Sequence, residues 1–166
     1  MKNKIITILT SLFILTIVIT AVVILIVNKN KKPFYLDSNY YGTDSIKEIR
    51  IDELNRLIDN KKSFAIFIYQ PKCITSFDFE NVLNEFIEEE KISIYKIAFS
   101  DIKDTKIGKS IKYYPSFIVY NKGRIVDFLR ANKNEDVKYY LSKKGFKSWF
   151  TKYVKLKDDV IEVGMR

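Results

Sequence analysis

Two side chains stand at a spacing that could support thiol chemistry: Cys73 and Ser76, in the stretch "FIYQPKCITS" from Phe67 to Ser76. Cys73 is the only cysteine of the chain. The thiolate is the nucleophile in thiol–disulfide exchange. Free N–H groups and the dipole at a helix N-terminus stabilise it, and an apolar run followed by helical periodicity puts Cys73 at such a junction. Lys72 adds a neighbouring positive charge, and Ser76, one turn on, can donate a hydroxyl hydrogen bond to the sulfur. Such a thiol can form a mixed disulfide, but Ser76 cannot resolve it. Release then needs an external thiol reductant. Net oxidation of a client dithiol by this chain alone is excluded; isomerisation, or holding a cysteine-bearing protein or peptide, is not. An inert Cys73 partly buried under Phe77 is the equal rival, because free cysteines are among the most buried residues.

Composition narrows the chemistry further. No histidine and one cysteine exclude Cys/His zinc sites, His-based triads and an internal disulfide within one chain, and no cofactor is expected. The net charge is +9, and removing the five lysines around the first segment (Lys2, Lys4, Lys29, Lys31, Lys32) leaves +4. The remaining lysines are scattered, as on a solvated surface, so nucleic acid is not an expected partner.

That first segment, Ile5–Val27, has 23 residues without charge, Gly or Pro. At about 1.5 Å per residue it matches the ~30 Å hydrocarbon layer of a bilayer. It is longer than the apolar region of a cleaved signal peptide and lacks an A-x-A site around Ala21. The expectation is an uncleaved signal anchor over residues 1–32 in the cell membrane. Flanking lysines nearly balance, and a short tail before a large domain favours a single pass with that domain outside the cytoplasm.

Residues 33–43 read as a linker. Alternation over Ile46–Ile51 predicts a strand, with Asp52 capping a helix that carries Leu54, Leu57 and Ile58. Ser63–Tyr69, nearly all apolar, reads as a strand buried on both faces. Phe79, Val82, Leu83, Phe86 and Ile87 mark a helix after Cys73. Ile92–Phe99 is a strand, Thr105–Tyr113 a short helix, and Ser116–Tyr120 with residues 124–130 a hairpin across Asn121–Gly123. Val137, Tyr140, Leu141, Trp149, Phe150 and Tyr153 mark a C-terminal helix kinked at Gly145. Strands alternating with helices imply an α/β fold with a mixed sheet covered on both faces.

In this order the chain resembles the thioredoxin superfamily over residues 44–154, with 155–166 as a tail. The resemblance rests on "FAIFIY" leading into Cys73, on "YYPSF" with Pro115 42 residues beyond Cys73, and on the "NKG" turn. It implies a cis Tyr114–Pro115 bond beside Cys73 and a substrate-binding role for Tyr114, Pro115 and Lys72, with Cys73 and Ser76 catalytic. "FIYQPKCITS" is most similar to the membrane-anchored bacteriocin transport accessory proteins, whose signature resembles Y-I-G-R-P-x-C-x-x-C. Pro71 and Cys73 fit it; Ser76 and Tyr69 depart from it. Phe67 stands where the family often buries an acid, and Ala131 where it usually has glycine. A non-catalytic interaction module of a secretion, conjugation or bacteriocin-export system therefore stands beside the redox reading. Tyr69, Phe77, Tyr113 and Tyr114 are expected in the core first and on a protein-binding rim second; Trp149 and Phe150 are expected in the core.

Overall fold

The structure, a computed structural model, describes residues 12–20, 32–111 and 113–157. The chain divides into two compact units, Met1–Lys32 and Pro33–Arg166. In the first, residues 12–20 are helical, with apolar side chains such as Leu12, Phe13 and Ile14 exposed. Among the described residues no helix is long and apolar enough to cross a membrane. Most of the span read over Ile5–Val27, and residues 158–166 of the tail, lie outside the described residues.

In the second unit, β1 (Ile46–Glu48), β2 (Phe64–Tyr69), β3 (Ile94–Ala98), β4 (Ser116–Asn121) and β5 (Arg124–Arg130) form one sheet in the order β1-β3-β2-β4-β5. β1 and β2 run parallel to β3, while β4 is antiparallel to both β2 and β5. The central β2 is buried from Phe64 to Ile68, as its unbroken apolar run requires. Residue pairing sorts its side chains. Phe64, Ile66 and Ile68 share a face with Tyr120, Ile118 and Ser116, and Ala65 and Phe67 share the other with Val119 and Phe117.

Helices cover both faces. α2 (Ile74–Glu90) and α6 (Lys143–Phe150) pack on the Phe67–Phe117 face through an aromatic cluster in which Phe79, Phe146 and Phe150 meet Phe117. Trp149 and Phe150 are buried there, as expected. α1 (Ile51–Asp59) and the short α3 (Phe99–Ile102) and α4 (Lys106–Ser110) complete the helices before β4, and α5 (Asn134–Tyr140) follows β5.

Four sequence expectations are corrected. The first strand stops at Glu48, and α1 begins at Ile51 after an extended Arg50 rather than at an Asp52 cap. Asp52 and Glu53 instead occupy the first turn, where the helix dipole favours negative charge. Residues 33–43 are not a linker. Leu36 and Tyr40 are core, Phe34 bridges to Val154, and the Tyr41 hydroxyl accepts from the Leu36 N–H and donates to the Lys155 carbonyl. Those contacts also tie in the start of the tail, where Leu156 is buried.

The fourth concerns the C-terminal helix, which is two helices, and Gly145 is not the break. The chain turns at Leu141–Ser142, and Ser142 caps α6 by accepting the Gly145 N–H at 3.1 Å. Gly145 is needed for close approach, because a Cβ there would run into the Lys138 carbonyl oxygen. Gly145→Ala is expected to destabilise by about 1–3 kcal/mol, despite the better helix propensity of alanine, read as a lowered urea midpoint. An unchanged or raised midpoint would show that α5 and α6 can part without cost.

Candidate functional site

The site grows from the end of β2. Beyond Tyr69 the chain turns through Gln70–Lys72, with Lys72 in the left-handed region at φ 61°, and enters α2 with Cys73 as its N-cap. The Cys73 N–H donates to the Gln70 carbonyl at 3.2 Å, and the Cys73 carbonyl accepts the Phe77 N–H at 3.0 Å. The sulfur is a free, partly exposed thiol at the helix N-terminus, where the sequence placed it.

Its hydroxyl partner differs from the expected one. Thr75 Oγ1 lies 3.1 Å from Cys73 Sγ. Ser76 is 2 % exposed, and its Oγ accepts the Gln70 N–H at 3.1 Å, pinning the loop before the thiol to the helix after it. The Thr75 hydroxyl, and after it the Ser76 backbone N–H, hold the Cys73 thiol below its ordinary pKa, with partial burial opposing them. The Ser76 hydroxyl contributes less, and Lys72 is not among the leading causes. A depressed thiol pKa means that thiolate forms at lower pH than on a free cysteine, so alkylation should accelerate at correspondingly lower pH. Thr75→Val should move the midpoint of the rate–pH curve for iodoacetamide upward, and Thr75→Ser should restore it. A Thr75→Val curve that overlays the original would remove Thr75 from the site.

Two hollows lie at this end of α2, the first lined by Cys73 and the second by Thr75. One, of about 360 Å³, is lined by Tyr69, Lys72, Cys73, Ser76, Phe77 and Glu80. There the Glu80 carboxylate pairs with Lys96 at 2.7 Å, and burial together with the Glu48 carboxylate pushes the Tyr69 hydroxyl up to about 12. The other, of about 500 Å³, is a mainly apolar groove lined by Thr75, Phe79, Tyr113, Tyr114, Pro115 and Tyr140, among others. Thr75 connects the two, since it touches the sulfur and lines the groove. The Tyr114–Pro115 bond is cis. The Pro115 carbonyl accepts the Tyr140 hydroxyl at 3.0 Å, and the Tyr113 carbonyl accepts that of Ser116 at 2.8 Å, which fixes this wall of the groove.

The structure therefore brings Cys73, Ser76 and Lys72 together in one hollow and places Tyr114 and Pro115 in the adjoining groove. Phe77, Tyr113 and Tyr114 are exposed rather than core; Phe77 is 66 % exposed. Ile74 and Leu141, at 78 % and 74 % exposed, extend the apolar rim. Sequence reading missed Thr75 and these two. Phe67 is buried in the aromatic core, ring to ring with Phe79. Among the described residues no group of three or more His, Cys, Asp or Glu could hold a metal ion.

Comparison with solved structures shows the fold. The reduced thioredoxin pre-protein of Schistosoma mansoni superposes with a TM-score of 0.51 at 16% identity, covering 66% of this chain and 99% of that one. A thioredoxin variant from Halobacterium salinarum does so with a TM-score of 0.51 at 17% identity, covering 69% and 96%. No family model and no curated protein matches the chain.

Proposed function

We propose that this thioredoxin-fold chain is a membrane-anchored, single-thiol protein that engages cysteines or extended segments of exported proteins through Cys73. The observation that supports it most is the placement of the thiol. Cys73 stands at the N-cap position of α2, its sulfur touches the Thr75 hydroxyl, and Thr75 also lines a mainly apolar groove of about 500 Å³. In this reading the Cys73 thiolate attacks one sulfur of a client disulfide. The Cys73–client bond forms, the client disulfide breaks, and the second client sulfur leaves as a thiolate. An external thiolate then attacks the client sulfur of this mixed disulfide, forms a new disulfide with the client and releases Cys73 as a thiolate. Ser76 holds the loop in place and takes no part in electron transfer. Lys72, Tyr114 and Pro115 contact the client, with the exposed Phe77 and Ile74 as its apolar rim.

The anchor belongs to the same proposal. Ile5–Val27 spans the membrane once, and residues 33–166 stand outside the cytoplasm. Within residues 12–20, Thr16 and Thr20 return their hydroxyls to the carbonyls of Phe13 and Thr16, each at 2.7 Å, which leaves an apolar exterior suited to lipid. The motif resemblance suggests a bacteriocin-export or related secretion system as the setting. The buried Phe67, where an acid would assist proton transfer, favours a second reading: an interaction module that binds through the groove without exchange.

Trapping separates the two. Intact cells quenched with N-ethylmaleimide should yield mixed disulfides that depend on Cys73 and vanish in Cys73→Ser. Clients that still co-purify with Cys73→Ser, with no adduct on the original chain, would replace exchange with binding alone. Protease added to protoplasts should degrade the domain; full protection of a C-terminal epitope would reverse the topology.

A further inference from the structure

The end of the sheet away from Cys73 is basic. Lys61 and Lys62 precede β2, and Lys122 and Arg124 flank Gly123 in the β4–β5 turn. Backbone contacts join the two loops. The Gly123 N–H donates to the Lys62 carbonyl at 2.8 Å, and the Lys122 N–H donates to the Ser63 hydroxyl at 3.0 Å. A Cβ at Gly123 would stand 3.2 Å from Lys61 Cα. The four cations therefore spring from touching backbone, and all four residues are exposed. The segment that begins the domain joins them, because the Asp37 N–H donates to the Ser63 carbonyl at 2.9 Å. Two residues earlier, Tyr35 is 41 % exposed, with the Lys155 ammonium 5.2 Å from its ring centroid.

The acids of these loops do not cancel the charge. Asp37 is taken by Lys62 at 3.1 Å. That leaves Asp59 beside Lys61, Lys122 and Arg124, none of which is in an ion pair among the described residues. Glu89 and Glu90, which end α2, are paired with Lys143 and Lys147 of α6. Like charges held this close repel, and an anionic surface laid against them relieves the repulsion. Tyr35 suits the same surface, since an exposed tyrosine is amphipathic and settles at the level of lipid headgroups. β2 runs from this end toward the thiol, and its six residues at about 3.3 Å each set Cys73 roughly 20 Å away.

We propose that this end of the domain docks on an anionic lipid surface, with Lys61, Lys62, Lys122 and Arg124 against the phosphates and Tyr35 at headgroup level, which holds Cys73 on the side away from the bilayer. Docking rests on the anchor proposed above. Residues 28–33 separate the apolar run from Phe34, at most about 25 Å of extended chain, so an anchored chain keeps this end within reach of the headgroups. The test uses the full chain in nanodiscs of phosphatidylcholine alone, or of phosphatidylcholine and phosphatidylglycerol in equal parts. Lysines are acetylated with N-hydroxysuccinimide acetate, and the rate at each is read by mass spectrometry. With phosphatidylglycerol, Lys61, Lys62 and Lys122 should react roughly threefold or more slowly, and high salt should restore their rates. Lys72, at the thiol end, should not change. Lys61→Glu combined with Arg124→Glu should return Lys62 and Lys122 to their phosphatidylcholine rates, with Cys73 alkylation unaltered. Equal rates in the two lipids, a slowing that Lys72 shares, or one that persists in the double variant would each overturn docking and leave the anchor standing. A chain that alkaline carbonate strips from membranes would overturn both.

Discussion

Ser76→Cys is expected to convert a chain that forms no internal disulfide into one that does. Position 76 is one turn along α2 from the N-cap sulfur. Both its backbone N–H and its side chain are among the groups that stabilise the Cys73 thiolate, so a sulfur at 76 starts within reach of the one at 73. Under oxidising conditions the two free thiols per molecule should fall to none. Dithiol-dependent reduction of insulin should then rise from background to a measurable rate, because the second sulfur can resolve the mixed disulfide that the original chain leaves to an outside thiol. The substitution also removes the oxygen that accepts the Gln70 N–H, and a weaker sulfur acceptor replaces it at a cost of about 1 kcal/mol. That cost is small against a domain stability of roughly 5–15 kcal/mol, so the site should hold its shape. Two free thiols remaining after oxidation, by mass spectrometry of the alkylated protein, would show that the loop no longer presents an exchange-competent geometry. The interaction-module reading would then replace exchange.

The role of Ser76 also shows where the sequence was legible and where it was not. Periodicity reported what repeats locally. The unbroken run of β2 placed the central strand, and the stripe of Phe79, Leu83, Phe86 and Ile87 placed the inner face of α2. Ser76 lies on that same stripe, which marks it as buried, whereas its hydroxyl one turn from Cys73 suggests a thiol partner instead. Phe77 lies off the stripe, and its exposure follows. Thr75 had a signal as well. A hydroxyl residue two positions after an N-cap can turn back toward the cap, but that inference needs the cap assigned first. Residues 34–41 gave none. Their partners are distant in sequence, from Ser63, Ile92 and Ser93 to Tyr153–Lys155 more than a hundred residues away, and no local pattern marks pairings of that kind. The break between α5 and α6 was hidden because apolar residues continue on both sides of it, although Ser142 ahead of α6 is ordinary cap chemistry.

Phe146→Ala should cost about 3–5 kcal/mol, the range for truncating a fully buried phenylalanine, and so remove a large part of the domain's stability. Phe146 is fully buried, and its ring centroid is 4.8 Å from that of Phe117, 4.9 Å from Phe86, 5.5 Å from Phe79 and 5.7 Å from Phe150. It is the point at which α6, α2 and β4 meet. An eight-residue helix such as α6 has little stability of its own, so its docking depends on these contacts. Alanine leaves a void walled by rings that cannot collapse without shifting β4 or α2. Phe146→Leu, which keeps most of the volume, should cost clearly less, on the order of 1–2 kcal/mol. The effect reaches the site through one neighbour. Phe79 touches Phe146 on one side and Tyr140 on the other, at 4.4 Å, and lines the groove beside Thr75. Loosening Phe79 should therefore widen the groove while the Cys73–Thr75 contact, a full turn earlier on α2, stays in place. Urea unfolding of the full chain measures the first effect, and the rate–pH curve for Cys73 alkylation measures the second. A fall of less than about 1 kcal/mol would mean that the aromatic cluster does not hold α6. A shifted alkylation midpoint at preserved folding would mean that the thiol is positioned by the core and not by the local cap alone.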